Sequence, residues 1–377
     1  MIGRGLFAPG EWTDDTSMAV AVADAGAKGL DLRTGDGPDH AARLPHESAG
    51  NGALMRTAAL ALAYLDDPSG LVAAAKAVSD LTHGDPVSGE ACALWSLGIR
   101  HAVLYATFDG VRDGLAYLSA DRSDYWGRML DEAEAEPPSA FANNGWVVQA
   151  LQGAWSAIVR TPVPADDPGS GSFPAQHLRL ALEAPVRGGR DTDTVAAIAG
   201  GLLGARWGAS AVPAIWRREV HGWPGHRGRD LVRLAVHAAR RSVGKPADDN
   251  EGWPSVGRID YERWHPYKPV VRHPHDSGVL LGSVHAVRNP PDSVDAVVSL
   301  CRLGTRETPD GVQPRDHVEM WLVDAGTAEN PHLSYVIDDA ARAAASLRAE
   351  GKTVLLHCVG GRSRTPNSRC ALLRTPE

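Results

Sequence analysis

Residues 188–205 read GGRDTDTVAAIAGGLLGA, and they set the pattern for the first two thirds of the chain. Asp191, Thr192, Asp193 and Thr194 stand behind two glycines and ahead of the apolar run Val195–Leu203. Hydroxyl and acidic side chains before such a run mark a helix start, because they cap free N–H groups and favour the positive end of the helix dipole. Thr13-Asp14-Asp15-Thr16, ahead of Met18–Ala23, repeats the arrangement far upstream. Either cluster alone reads as an ordinary helix cap. Together they have a second meaning. Asp191 and Asp193 can both reach one ion, and Thr194 adds an oxygen. Hard cations such as Mg²⁺ take oxygen ligands and keep several waters. Two carboxylate clusters brought together can hold two ions and a shared water, acidified and oriented for attack.

Outward from these motifs, residues 12–243 read as helical. Ala, Leu and Val recur in Met55–Leu65, Ala91–Leu104, Gly145–Val159 and Thr194–Trp207, separated by loops rich in Gly, Pro and Asp. An all-α domain is expected over residues 1–243. Residues 244–277 carry Pro246, Pro254, Pro266, Pro269 and Pro274 among Trp253, Tyr261, Trp264 and Tyr267. Prolines break helices and favour extended backbone, while aromatics want cover, so a linker that packs partly on a neighbour is expected. Residues 278–377 turn to an α/β pattern. Val294–Cys301 and Thr353–Leu356 are buried-strand candidates. Pro331–Glu350 sets Leu333, Val336, Ile337, Ala340, Ala344 and Leu347 on one helical face, with Gly351 at its cap.

Composition bounds the function classes. A chain of 377 residues suggests two domains, and 43% hydrophobic with 22% charged residues is an ordinary soluble mixture. The net charge of -8 argues against nucleic-acid binding by bulk electrostatics. The opening MIGRGLFAPGEW lacks the apolar core of a signal peptide, and no stretch is long enough to cross a membrane. Cys92, Cys301, Cys358 and Cys370 form no CxxC pair and no disulfide framework, which points to a reducing cytoplasm.

The segments GEWTDDTSM, SAGNGALMR, THGDP and GGRDTDTVAAIAGGLLGA, in this order within the first 210 residues, resemble the signature of the ADP-ribosylglycohydrolase family. The resemblance implies an orthogonal all-α bundle and a site for two Mg²⁺ ions, with Mn²⁺ as a substitute. Carried over residue by residue, the ligands are Thr13, Asp14, Asp15, Asp191, Asp193 and Thr194, and the catalytic carboxylates are Asp14, Asp15 and Asp193. Gly50, Asn51, Gly52, Ala53, Leu54, Met55 and Arg56 form a loop just before a helix, where backbone N–H groups can approach an anion. By resemblance this loop cradles the diphosphate of ADP-ribose, and His83 in Thr82-His83-Gly84-Asp85 stands near the ribose and phosphates. The implied activity is release of ADP-ribose from a modified protein or a small molecule carrying it. Family members usually open with a further helix well before this motif, and here Trp12 follows only 11 residues. The stretch between Ala25 and Ser48 is also shorter than the family norm and not helical in composition. The chain is therefore expected to be truncated at both chain ends.

A second motif stands near the other end. His357-Cys358-Val359-Gly360-Gly361-Arg362-Ser363-Arg364-Thr365 fits HCx5R followed by a hydroxyl. A thiolate nucleophile needs its pKa lowered by backbone dipoles and a cation, and an Arg fork grips two phosphate oxygens. Cys358 would attack phosphorus, Arg364 would hold the transferring group, and Thr365 would help release the thiolate. From Val279 on, the chain resembles the dual-specificity branch of the protein tyrosine phosphatases, which implies Asp324 as the acid that protonates the leaving oxygen. The family runs a long helix after this loop, and here only Pro366–Arg374 remains. The expected architecture is multidomain: a helical bundle, a linker and a small α/β phosphatase-like domain. Two other functions fit the same residues, a phosphatase acting on a phosphorylated substrate and targeted by an ADP-ribose-binding domain, and a non-catalytic ADP-ribose-binding protein.

Overall fold

Helix boundaries follow the capping chemistry of the sequence. The first helix, α1 (Asp14–Lys28), has Asp14 and Asp15 in its first turn and ends at Gly29. Asp67 accepts from the Gly70 N–H and Pro68 occupies the first position of α2 (Pro68–Asp80). Asp85 and Pro86 do the same for α3 (Pro86–Tyr105), which is why that helix starts well before the expected Ala91. Proline costs nothing there, since its missing N–H had no partner in the helix. The remaining long helices of the body are α4 (Ala120–Ala135), α5 (Val147–Val159), α6 (Gln176–Gly188) and α7 (Thr192–Trp207). A short α8 (Ala214–Glu219) and the amphipathic α9 (Gly228–Ser242) follow. The expected helix over Met55–Leu65 forms instead as a 3₁₀ turn, Leu54–Ala59, running into a single α turn, Leu60–Ala63.

This computed structural model describes residues 7–33, 49–245, 252–261, 269–325, 329–362 and 364–365. Its helical core is built around α3 and α5. Every residue from Ser88 to Ile99 is buried, and a helix buried on all faces belongs at the centre of a bundle. The Trp95 indole N–H donates to the Ile198 carbonyl at 2.9 Å, so α3 and α7 meet through a polar contact inside an apolar core. The all-α expectation for this region needs one correction. The segment after α8 forms a two-stranded ribbon, β1 (His221–Gly222) and β2 (His226–Arg227), because Gly222 and Gly225 allow a tight turn closed by a 2.7 Å hydrogen bond.

The downstream part is a five-stranded sheet. Its strands are β3 (Val271–Arg272), β4 (Val279–Ser283), β5 (Ala296–Ser299), β6 (His317–Glu319) and β7 (Val354–Cys358), in the spatial order β3-β4-β7-β5-β6. Only β3 is antiparallel. The 17-residue α10 (Leu333–Ala349) makes the crossover from β6 to β7. Val294–Cys301 is thus shorter as a strand than expected, and Thr353–Leu356 reaches on to Cys358. The described part of 244–277 packs onto this sheet rather than hanging free. It supplies β3, the Trp253 ring lies 4.3 Å from the Arg302 guanidinium, and the Tyr261 hydroxyl donates to the Arg302 carbonyl at 3.0 Å. Pro246, Trp264, Pro266 and Tyr267, like Pro366–Arg374, lie outside the described residues.

One hydrophobic cluster runs from the helices onto one face of the sheet, and a second, around Leu280, Val287, Val297 and Leu355, covers the other face. Between helices and sheet lies a buried polar seam. The Ala214 N–H donates to Asp339 at 2.9 Å, and Arg217 donates to the Glu319 carbonyl at 2.5 Å. Arg218 forks onto Glu350 at 2.5 and 2.9 Å and reaches Asp316 at 3.1 Å. Such ions are tolerated away from water because each is paired and hydrogen-bonded.

Candidate active site

The two acidic motifs, whose first aspartates Asp14 and Asp191 stand 177 positions apart, fold to one place. Asp15, at the start of α1, is 4% exposed. Its Oδ2 accepts from the Thr13 hydroxyl at 2.5 Å, and the Thr194 hydroxyl at the start of α7 stands beside the same carboxyl. Burial pushes the Asp15 pKa up, and the charges of Asp14 and Asp193 push it further, against the lowering effect of the two hydroxyls. Its second oxygen, Oδ1, is buried with no hydrogen-bond partner among the described residues. An acceptor in that position is costly unless something positive meets it.

This donor set fits a hard divalent cation. It offers only carboxylate and hydroxyl oxygens, and one of them is without a partner. Among the described residues no three His, Cys, Asp or Glu side chains converge as a ready-made metal cluster. Asp14 is exposed, and Asp191 is engaged elsewhere: its Oδ2 accepts from the Asn51 side-chain amide at 2.6 Å.

That last contact ties the glycine loop to the acidic motif. Asn51 also donates to the Asn144 carbonyl at 2.8 Å and, through its backbone, to the Gly145 carbonyl at 3.0 Å. The Asn144 side-chain oxygen accepts from the Asp191 N–H at 3.3 Å. Asn144 therefore bridges loop and motif, and the sequence reading missed it. The doublet Asn143-Asn144 before Gly145 was the available signal, since Asn serves turns and backbone hydrogen bonds.

Gly50 and Gly52 are glycines because His83 lies on them. A Cβ at Gly50 would sit 3.1 Å from His83 Nε2, and one at Gly52 would sit 3.2 Å from Cε1. Burial and the Arg56 charge push the His83 pKa down, so the ring is neutral near pH 7. Arg56 Nη2 donates to the Thr82 hydroxyl at 2.5 Å, and that hydroxyl lies 2.7 Å from His83 Nδ1, so Arg56, Thr82 and His83 form one chain of polar contacts with the ring's Nε2 toward Gly50. Ala53, Leu54, Met55 and Arg56 have buried side chains, so only their backbone can face a ligand.

The ribbon holds the other flank. The Trp12 N–H donates to the His221 carbonyl at 2.9 Å, and the indole lies so close to Gly222 that a Cβ there would meet its Nε1 at 2.5 Å. The residue just before the Thr13–Asp15 motif is thereby pinned by a turn more than 200 positions later. No feature of the ribbon's own sequence announces this contact.

A family model described as ADP-ribosylglycohydrolase matches residues 1–247. The chain belongs to this family. Among its relatives are the ADP-ribosyl-[dinitrogen reductase] glycohydrolase of Rhodospirillum rubrum, 25% identical over 56% of this chain and 74% of that protein, and the ADP-ribosylarginine hydrolase Tri1 of Pseudomonas putida, 26% identical over 60% and 67%. A solved chain described as an ADP-ribosylglycohydrolase-related protein complex covers 62% of this chain and 83% of its own length, at 26% identity and a TM-score of 0.46. The sheet β3–β7 lies beyond the matched residues.

The second motif sits at the carboxyl end of the parallel strands. Cys358 ends β7 and is 4% exposed. Arg364 donates to the carbonyls of Leu300 and Val323 at 3.2 and 2.6 Å and to Asp324 Oδ1 at 2.6 Å. His357 is buried and paired with the Ser299 hydroxyl at 2.6 Å, and burial pushes its pKa down to about 3. It is a neutral strut of the sheet. The Thr365 and Ser283 hydroxyls are buried without partners among the described residues.

Proposed function

We propose that this chain is a divalent-metal-dependent hydrolase that releases ADP-ribose from a modified protein side chain, with arginine as the linkage to test first. The carrying observation is the partnerless, buried Asp15 Oδ1 at the meeting of the two acidic motifs. The activities for which the two relatives are named support the substrate class. Thr13, Asp14, Asp15, Asp191, Asp193 and Thr194 would hold Mg²⁺ or Mn²⁺. The cations would supply a water acidified near neutral pH and fixed in position. Water adds to the anomeric carbon, the bond to the target nitrogen breaks, and that nitrogen takes a proton. Asp14, the exposed member of the set, accepts the proton of the attacking water, while Asp193 and Asp15 hold the polar frame. Backbone N–H groups around Gly50–Gly52 take the diphosphate, and His83 Nε2–H donates to a ligand oxygen. The division at 243 and 278, with a helical unit, a linker and an α/β unit, belongs to the same proposal. ADP-ribose release from an ADP-ribosylarginine peptide, measured with Mg²⁺, with Mn²⁺ and with chelator, tests it. Release should stop in chelator and fall by about 10²–10⁴ in Asp14→Asn. Equal rates with and without metal would overturn it.

A second reading concerns the α/β unit. The 2.6 Å contact of Asp324 with Arg364 brings an acid to the guanidinium of the Cys358 loop. The Cys358 thiolate would attack phosphorus, breaking the ester P–O bond while Asp324 protonates the leaving oxygen, and water would then free phosphate. Hydrolysis of an aryl phosphate that disappears in Cys358→Ser is the expected result, and hydrolysis unchanged in that variant would refute it.

A further inference from the structure

The strand β7, which ends at Cys358, lies between β4 and β5. On one side Ser283 of β4 is in register with Cys358, and on the other Ser299 of β5 is in register with His357. Register partners in a parallel ladder point to the same face, and adjacent strands lie about 4.8 Å apart. The face here is the helical one: Val279 and Leu281 of β4 share a cluster with Val354, Leu356 and Cys358 of β7. Ser283, two residues beyond Leu281, continues that row. On the far flank the row is closed by apolar Leu300, whose N–H donates to the His357 carbonyl at 2.8 Å. The strand register therefore sets the Ser283 hydroxyl beside the Cys358 sulfur.

That hydroxyl has no other task. Ser283 is 1% exposed, and its Oγ has no hydrogen-bond partner among the described residues. It stands at the N-cap of the short helical turn Val284–Arg288, where a serine commonly accepts from a backbone N–H, and it takes none. The Val284 N–H goes instead to the Val359 carbonyl at 3.1 Å. The loop after Cys358 folds back over the same strand end, since a Cβ on Gly361, φ 62°, would meet the Gly282 carbonyl at 3.0 Å. The other polar groups near the sulfur are occupied. Arg364 holds the Leu300 and Val323 carbonyls and Asp324, His357 is neutral and bound to Ser299, and burial keeps the Cys301 thiol well above its ordinary range. A buried hydroxyl left idle is costly, and a neutral thiol is a weak acceptor that does little for it. A thiolate is a strong acceptor, because hydrogen bonds to a charged atom are the stronger ones.

We propose that Ser283 is a hydroxyl donor to the Cys358 thiolate. Once the thiol has given its proton to water, a turn about the Ser283 χ1 bond brings Oγ–H onto the sulfur and holds it ionised for attack. The inference rests on the reading of Cys358 as a nucleophile, and it assigns to that nucleophile a partner outside its own loop. Alkylation of Cys358 by iodoacetamide in the full folded chain, followed at one neutral pH by peptide mass and set beside thermal melts, tests it. The thiolate is the species that reacts, so the rate reads how much of it is present. In the parent, Cys358 should react several-fold faster than the same residue in the chain unfolded by denaturant. Ser283→Ala should slow that reaction by about fivefold or more, the loss of one hydrogen bond to a charged atom. Its melting midpoint should not fall, because the change removes an idle buried hydroxyl. Ser283→Thr keeps the hydroxyl and should keep the fast reaction. A fast parent with Ser283→Ala equally fast would overturn the inference and leave the nucleophile reading standing. A parent no faster than the unfolded chain would remove the nucleophile reading and the inference with it. A slower Ser283→Ala whose midpoint also drops would make Ser283 a packing residue, and that too overturns the proposal.

Discussion

Replacing Asp15 by Asn sets stability and function against each other in a measurable way. The carboxyl is 4% exposed, one oxygen is satisfied by Thr13, and the other has no partner. An unsatisfied buried polar group costs roughly 1–3 kcal/mol, more when charged. The neighbouring Asp14 and Asp193 add repulsion. Asn keeps an oxygen for the Thr13 hydroxyl, removes the charge, and sets its amide N–H beside the Thr194 hydroxyl, which can accept it. In chelator the variant should therefore be more stable than the parent by about 2 kcal/mol, the middle of that range. A kcal/mol moves the midpoint by about 2 °C in a chain of this size, so the expected rise is about 4 °C. Metal reverses the order. At 100 times its Kd a single bound ion stabilises the parent by about 2.7 kcal/mol, and Asp15→Asn should gain little of that. Thermal melts of both proteins in chelator and in Mg²⁺ read the crossing directly. A variant less stable than the parent in chelator would sink the argument about the partnerless oxygen. A variant that gains as much from Mg²⁺ as the parent does would sink the metal site.

Arg218→Ala strips a guanidinium that is 3% exposed from Asp316 and Glu350. It should cost about 3 kcal/mol, the lower end for a broken buried pair because Glu350 is partly solvated; urea unfolding with a loss under 1 kcal/mol would show that the seam is not held this way. Gly52→Ala presses a methyl against His83, so KM for the ADP-ribosylated peptide should rise about tenfold, ~1.4 kcal/mol of binding, with the melting midpoint little changed; an unaltered KM would remove His83 from the binding site. Asp339 has its pKa raised to about 6 by burial, against the lowering effect of Arg217. The folded state thus binds its proton more tightly than the unfolded chain does, so this group's contribution to stability grows as pH falls from about 6 toward 4. Asp339→Asn, which keeps an acceptor for the Ala214 N–H, should flatten that rise in a series of urea melts across pH, and an unchanged profile would count against the shift.

The apolar runs of α3, α5 and α7 and the acidic motifs around Asp15 and Asp193 were legible along the chain, because each depends on neighbours within one or two turns. Family membership was legible for the same reason, in four short segments. Contacts that depend on distant partners were not. The Asn144 bridge between Asn51 and Asp191, and the Gly222 turn that pins Trp12, join residues whose own surroundings look like ordinary turns. Sequence patterning also marked β5 and β7 as buried strands, yet not β4 beside β7, nor that an upstream pair, Val271–Arg272, would extend their sheet, since pairing at an edge needs only a free row of backbone groups and almost no side-chain signature. Only the tertiary structure decided which charges lie deep. Arg217, Arg218, Asp316, Glu319 and Asp339 read as surface residues one by one, and they are buried because the helical body closes onto the sheet, where each finds the partner that makes its burial tolerable.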